Sequence, residues 1–539
     1  QVIFSRTMLM MILIVLQFAY IIARVYAYAE HLPILLGGEF LIIASMLTFI
    51  INSKENPMIK LSWCFLVAIF PIFGSIVYLV VRYDLGYRMQ QRRILETEAK
   101  IQKILPEQED VMQEIWEKDA QTHRIASYLR EKSASTIYKK THVTYFPIGE
   151  KQFEEMIKQL ENAKDFIFME YFMIAHGHMW RTILQLLIKK AKEGVEVRLL
   201  YDGSCAVYLL PYNYPKRLEK AGIQCRMFSP PIPFLSTHYN NRDHRKILVV
   251  DGKVAFTGGV NLCDEYINID SPFGHWKDVG VMLQGDAVRD FTRMFLQMWI
   301  ATEQVSAVRD YMLEEKEVDK YLLPHAANLG MNSDNAVVET ACLEKNEKEK
   351  IYMEISPDGY VIPYCDSPVD TENVGKMVYI DILNQASDYV YIMTPYLILD
   401  NEMLTAITFA AKRGIDVRII LPHIPDKKTA FVLAKEHYKE LLEAGVKLYE
   451  YTPGFVHAKV FVSDACRAVV GTVNLDYRSL YWHYECSAYL YEVPAIADIV
   501  KDYEDTLMKC QEVSMEDVKK RPFFSKVAGI VLKLVAPLM

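Results

Sequence analysis

The sequence predicts an α/β protein with two pseudo-symmetric lobes, each a packed mixed sheet flanked by helices, preceded by N-terminal transmembrane helices. Three observations predict it: an internal repeat, apolar strands alternating with amphipathic helices, and a run of apolar segments before the repeat begins. At 539 residues the chain is also too long for one ordinary core.

The apolar segments come first. Met8 to Ala23 is almost wholly apolar, Pro33 to Ile51 is apolar apart from Glu39, and Leu61 to Val81 carries no charge over about 21 residues, the length that crosses a bilayer core as a helix. A secretory signal peptide would not be followed by two more such segments. Residues 1–87 therefore read as a membrane anchor. Arg24 and Glu39 sit near segment edges, where charged tips reach the headgroups. Pro71 and Gly74 fall inside the third segment and either kink it or turn it into a shallow hairpin, so two or three spans are expected. Arg82, Arg88, Arg92 and Arg93, with only Asp84 among them, place the chain beyond them in the cytoplasm.

Residues 88–135 read as a helical connector, with a surface helix from about Arg88 to Trp116. The repeat comes next. DFIFMEYF at Asp165 matches DYVYIMTPYL at Asp388, Gly194 matches Gly414, Gly222 matches Gly445 and His244 matches His457, at a spacing of roughly 220 residues. The first lobe is read over 136–335 and the second over 357–515. Between them, 336–356 is a charged linker around LEKNEKEK at Leu343 to Lys350. Residues 516–539 form a basic amphipathic tail, with Phe523, Val527, Ile530, Leu534 and Leu538 on one helical face and Lys526 and Lys533 on another. Such a tail lies in a membrane interface or caps the catalytic body.

Composition narrows the function. A net charge of −8 argues against sequence-blind attraction to nucleic acid. The nine cysteines include no CxxC pair and read as reduced thiols, with Cys263, Cys466 and Cys486 as small buried side chains.

The chemistry sits in two segments. HRKILVVDGKVAFTGGVN holds His244, Lys246 and Asp251, and HAKVFVSDACRAVVGTVN holds His457, Lys459 and Asp464; both have the spacing HxKxxxxD, with Gly258 and Asn261 or Gly471 and Asn474 at equal offsets downstream. A histidine and a lysine two apart on a strand share a face. Imidazole is a good nucleophile at neutral pH and a good leaving group from phosphorus, so one histidine splits a phosphodiester exchange into two displacements through a phosphohistidine. The other protonates the departing alkoxide and then deprotonates the incoming hydroxyl. Lys246 and Lys459 supply charge to the phosphoryl oxygens, and Asn261 and Asn474 supply neutral donors. No metal or other cofactor is required.

Each imidazole needs an acceptor on its far nitrogen. Asp278 in FGHWKDVG and Glu485 in WHYECS, at similar distances downstream of His244 and His457, are the candidates. Asp251 and Asp464 complete the motifs, and are expected to shape the turn after the motif strand or hold the lysine. His176 and His178 lack accompanying carboxylates or cysteines, so a loop role is expected of them rather than metal binding.

These motifs resemble the phospholipase D superfamily, whose two-lobed members carry HxKxxxxD twice. HRKILVVDGKVAFTGGVNLCDEYIN, HWKDVGVMLQGDAVRDFTRMFLQMW, PGFVHAKVFVSD, GTVNLDYRSL and the N-terminal NPMIKLSWCFLVAIFPIFGSIVYLVVR resemble bacterial cardiolipin synthases in particular, so the resemblance covers nearly the whole chain. It implies a multi-pass enzyme of the bacterial inner or plasma membrane that joins two phosphatidylglycerol molecules and releases glycerol. It also implies His244 as nucleophile and His457 as general acid and base, a choice that the symmetry of the two motifs leaves open. Membrane lipid is then the partner, nucleic acid is not, and homo-oligomerisation stays compatible. Three positions depart from the family pattern. Gly259 and Thr472 stand in GGVN and GTVN where GSxN is frequent, and Asp243 precedes His244 where Asn is common. Thr472 keeps a hydroxyl donor, Gly259 offers only backbone, and Asp243 is expected to temper substrate affinity or to pair with Arg242 or Arg245. The competing readings are a hydrolase using water or another alcohol, on lipid or nucleic acid, and a non-catalytic lipid-binding scaffold.

Overall fold

In a computed structural model of the chain, the described residues are 19, 32–83, 85–101, 108–231, 241–302, 320–322, 359–370 and 372–538. The repeat becomes two sheets of matching strand order. The first contains β1 (Thr141–Phe146), β2 (Phe166–Tyr171), β3 (Glu196–Asp202), β4 (Gln224–Phe228), β5 (Lys246–Val250), β6 (Val254–Gly258) and β8 (Gly280–Gly285). Its order is β1-β8-β6-β5-β2-β3-β4. The short β7 (His275–Lys277) stands apart.

The second sheet contains β9 (Tyr360–Asp366), β10 (Tyr389–Met393), β11 (Asp416–Pro422), β12 (Lys447–Tyr451), β14 (Val460–Ser463), β15 (Arg467–Gly471), β16 (Glu485–Tyr491) and β17 (Cys510–Glu512). Its order, β9-β16-β15-β14-β10-β11-β12, repeats that of the first sheet and ends with β17 as an added edge. In each sheet the three strands joined by helices run parallel and the rest antiparallel, because a helical crossover returns the chain to the same end of the sheet.

The two sheets share a core. Phe168, Val249, Val281, Val460, Val470 and Ala488 are buried in one cluster with the helices Val288–Ala301 and Ala495–Leu507. The outer faces are covered separately by the crossover helices. The lobes are also joined by backbone: β13 (Gly454–Val456) pairs in parallel with β7, and Asp243 bridges to Tyr484.

Asp251 and Asp464 play matching parts in this framework. Asp251 has φ 52° and its carboxylate accepts from the amides of Lys164, Asp165 and Phe166 at 2.8–2.9 Å. Asp464 has φ 53° and accepts from Ser387, Asp388 and Tyr389 at 2.9–3.0 Å. A short acceptor side chain that tolerates the left-handed region is what each turn requires. Each aspartate thus fixes the start of the adjacent strand.

The N-terminal segment takes the hairpin alternative rather than the expected spans. Leu61 to Val81 is not one span: it divides into Pro57–Ile69 and Pro71–Arg82, 13 and 12 residues long. Pro71 lacks an N–H and its ring bars the preceding residue from the helical region, and Phe70 sits at φ −126° and ψ 74°. The two helices fold back on each other. Gly74 allows the contact, since a Cβ there would meet the Leu66 carbonyl oxygen at 2.9 Å. Helix Leu32–Ile51 runs for 20 residues, with side chains described from Phe40 onward. Among the described residues no helix is long and apolar enough to cross a membrane. Met8 to Ala23, apart from Ala19, lies outside the described residues, as do Arg24 and the linker 343–350.

The connector is likewise not one surface helix. It forms Leu85–Ile101, Glu109–Lys118 and Ala120–Ser133, with Ile94 in the shared core and Ile115, Ile125 and Leu129 in the second lobe's outer core. The tail helix Phe523–Val535 docks on helix Lys428–Glu443, where Arg521 pairs with Glu436 at 2.6 Å. It leaves Phe523, Phe524, Ile530 and Val531 more than half exposed.

Replacing Asp251 with alanine removes three backbone hydrogen bonds at a partly buried turn. We expect a loss of about 2–4 kcal/mol in stability, measured by chemical denaturation.

Candidate active site

The segment before each motif strand carries its histidine, and each such segment runs beside the other lobe. His244 precedes β5, and its amide donates to the Tyr484 carbonyl at 2.9 Å. His457 lies between β13 and β14, and its amide donates to the Lys277 carbonyl at 2.7 Å. Tyr484 and Lys277 immediately precede Glu485 and Asp278. The backbone pairing therefore hands each imidazole a carboxylate from the opposite lobe. His244 Nδ1 lies 2.9 Å from Glu485 Oε2, and His457 Nδ1 lies 2.6 Å from Asp278 Oδ2. Sequence order, which sets each carboxylate downstream of the histidine of its own lobe, does not reveal this crossing.

The lysines follow their histidines inward. Lys246 Nζ donates to the His244 carbonyl at 2.6 Å, and Lys459 Nζ donates to the His457 carbonyl and stands 2.9 Å from His457 Nδ1. All six side chains are buried. Lys246 acts on the protonation of His457, and Asp278 and Glu485 both act on that of Lys459, so the two half-sites form one electrostatic unit.

The supporting residues divide. Asn261 is engaged locally: its Oδ1 accepts from the Met173 amide at 3.1 Å and its Nδ2 donates to the Tyr266 hydroxyl at 2.7 Å. Asn474 Oδ1 is buried without a hydrogen-bond partner among the described residues. Thr472 donates to Glu485 and accepts from the Cys486 amide at 3.0 Å, so its hydroxyl steadies the carboxylate behind His244. Gly259 has a steric reason to lack a side chain, because a Cβ there would fall 1.9 Å from Asp278 Oδ1. Asp243 is buried, with Arg245 Nε 3.2 Å away and Glu170 paired to the same guanidinium at 2.5 Å. Asp251 and Asp464 stay at their turns, away from this cluster.

Sequence spacing missed the aromatic surround. His483 lies with its ring centroid 5.2 Å from that of His244 and its Nδ1 3.4 Å from Glu485 Oε1. Phe172 packs on His244 at 4.9 Å, and Tyr266 and Trp276 pack on His457 at 5.3 Å each. The signal for His483 was its place in WHYE beside Glu485, but a lone histidine there has no partner in the repeat. His244, His483 and Glu485 are the group among the described residues whose ligand atoms approach closely enough to hold a cation, and within it His244 Nδ1 and the Glu485 carboxylate are engaged with each other. His176 and His178 join no such group; the His178 amide donates to Asp264 at 2.7 Å where a helix begins. Cys263 and Cys486 are buried and Cys466 is half-buried.

Burial sets the protonation states. It pushes both His244 and His457 below the ordinary imidazole range, which keeps the nucleophilic neutral form at hand. It pulls Lys246 down to about 8 and Lys459 to about 7, and it raises Asp278 to about 6. Two lysines and two carboxylates leave the centre without net charge when all are ionised, and able to take an anion between the lysines.

The geometry now meets its relatives. A family model described as "Cardiolipin synthase, PLD-like domain" matches residues 156–299 and 379–507, the halves that carry the two motifs, and a second, "Phospholipase_D-nuclease N-terminal", matches 40–82. A cardiolipin synthase of Alkalihalophilus pseudofirmus is 30% identical over 97% of this chain and 98% of its own. The chain belongs to the cardiolipin synthases of the phospholipase D superfamily. An uncharacterised protein of Streptococcus mutans is 48% identical over 91% of this chain and 99% of its own. The crystal structure of a phosphatidylserine synthase from Haemophilus influenzae covers 78% of this chain and all of that one, with a TM-score of 0.54 at 14% identity, and so shares the fold.

The charges of the centre set its pH dependence. Below about pH 6 Asp278 gains a proton and no longer accepts from His457, and above about 7–8 the lysines lose their positive charge. The pH profile of kcat/KM should therefore rise through about 6 and fall through 7–8. Gly259→Ser should displace Asp278 and lower kcat at least tenfold while leaving the circular dichroism spectrum unchanged.

Proposed function

We propose that this enzyme is a phosphatidyltransferase that condenses two phosphatidylglycerol molecules into cardiolipin and releases glycerol. The observation that carries the reading is the pair of buried imidazoles, each braced by a carboxylate of the opposite lobe, with a lysine beside each. Neutral His244 attacks phosphorus, the bond from phosphorus to the glycerol oxygen breaks, and His457 gives the departing alkoxide its proton. The bound phosphodiester anion raises the affinity of His457 for that proton, against the pull of burial. A headgroup hydroxyl of a second phosphatidylglycerol then yields its proton to His457 and displaces His244 from phosphorus. Glu485 favours His244 as nucleophile: His244 and His483 hold it below the usual carboxylate range despite burial, so it stays an acceptor where Asp278 nears protonation.

A membrane surface suits the reading. Leu61, Ile69 and Ile76 of the folded-back helices and Phe523, Phe524 and Ile530 of the tail are each at least half exposed. The tail helix also packs against helix Pro57–Ile69. Two neighbouring apolar faces on one side of a water-exposed protein bury well in a lipid interface. The arginine-rich segment after Val81 supports a cytoplasmic location of the lobes.

Mass spectrometry of lipids after incubation with phosphatidylglycerol tests the function. Wild type should form cardiolipin and glycerol, and His244→Asn and His457→Asn should each lose at least a thousandfold in turnover. Phosphatidic acid as the main product would replace transfer by hydrolysis, and undiminished cardiolipin from either variant would remove that histidine from the mechanism.

A further inference from the structure

We propose that a cleft beside the catalytic centre, between helix Lys428–Glu443 and helix Tyr477–Tyr481, holds the glycerol backbone and first methylenes of a phospholipid whose phosphate lies between His244 and His457. The inference rests on the phosphatidyltransferase reading and adds where the lipid's apolar part goes.

The cleft has a volume of about 210 Å³, and its walls include Tyr396, Ile398, Leu433, Tyr477 and Ala536, with Lys427 among its polar residues. An apolar cavity of ~150 Å³ already takes a benzene-sized ligand. One end is near the chemistry. The amide of the wall residue Ile398 donates to the Leu475 carbonyl at 2.8 Å, and Leu475 lies between Asn474 of the second motif and Asp476, also on the wall; Lys427 and Asp476 are near enough to act on the protonation of His457 and Lys459. Lys427 Nζ stands 5.0 Å from the centroid of the Tyr396 ring, so its stem lies along the wall while its charge remains available to a phosphate or an ester oxygen.

The opposite end leads to the apolar layer. Ala536 belongs to the turn that ends the tail, and that turn packs against helix Pro57–Ile69. Helix Tyr477–Tyr481 begins in the cleft and ends at Tyr481, whose hydroxyl accepts from Asn56 Nδ2 at 2.7 Å. Tyr481 and Trp482 pack on the cluster of Ile59, Trp63 and Tyr78. A phosphodiester must leave the headgroup layer to reach buried imidazoles, and its chains cannot follow into a centre lined by four charged side chains. An apolar-walled cleft joining that centre to the layer that meets lipid resolves both demands.

The test uses the full-length protein with Thr429→Cys, an exposed position on the cleft wall, and Ala430→Cys as a second variant. Maleimide labelling of residue 429 or 430 is followed by peptide mass spectrometry, with no ligand, with dihexanoyl-phosphatidylglycerol, or with deacylated glycerophosphoglycerol. Labelling should slow at least fivefold with the acylated lipid and less than twofold with the deacylated one. Unslowed labelling in both variants, under conditions where wild type turns the same lipid over, would overturn the cleft assignment. Equal slowing by both ligands would overturn it too, placing the headgroup there instead. Failure of wild type to turn the lipid over would count against the phosphatidyltransferase reading itself.

Discussion

Each motif imidazole depends on a carboxylate from the other half of the molecule, and the rest of the architecture serves that exchange. β13 pairs with β7, and the Asp243 segment pairs with the Tyr484 segment, so a histidine and a foreign carboxylate emerge side by side at each seam. Neither lobe holds a complete half-site alone. The shared core between the sheets and the helices Val288–Ala301 and Ala495–Leu507 therefore set catalytic geometry as well as stability.

Burying four charges in one centre is unfavourable unless they offset each other. Two lysines against two carboxylates achieve this in part, and the lysine values near 7 and 8 mark what remains unmet. On the proposed reaction, an arriving phosphodiester strengthens the cationic form of both lysines.

Much of this was legible in the sequence, and the exceptions have physical reasons. A repeat of roughly 220 residues with alternating apolar and amphipathic segments foretold two α/β units, and the matching strand orders follow from it. The doubled HxKxxxxD spacing singles out His244, Lys246, His457 and Lys459, and the need for an acceptor singles out Asp278 and Glu485, which do lie against the two imidazoles. Their crossed pairing was hidden because contacts between residues about 180 and 240 apart leave no periodic trace. His483 was hidden because it occurs in one half alone. The long apolar run at Leu61 left a span and a hairpin both open, since hydropathy counts residues while Pro71 decides whether a helix continues.

The crossed pairing is the claim most open to direct measurement. Selective ¹⁵N labelling of histidine, with NMR observation of the carboxylate-bound imidazole protons, distinguishes the two half-sites when each acceptor is altered. Glu485→Gln should shift or abolish the Nδ1 proton resonance of His244 and leave that of His457 in place, with Asp278→Asn doing the reverse. Loss of the His457 resonance on altering Glu485, with His244 undisturbed, would show that each lobe braces its own histidine and would contradict the account.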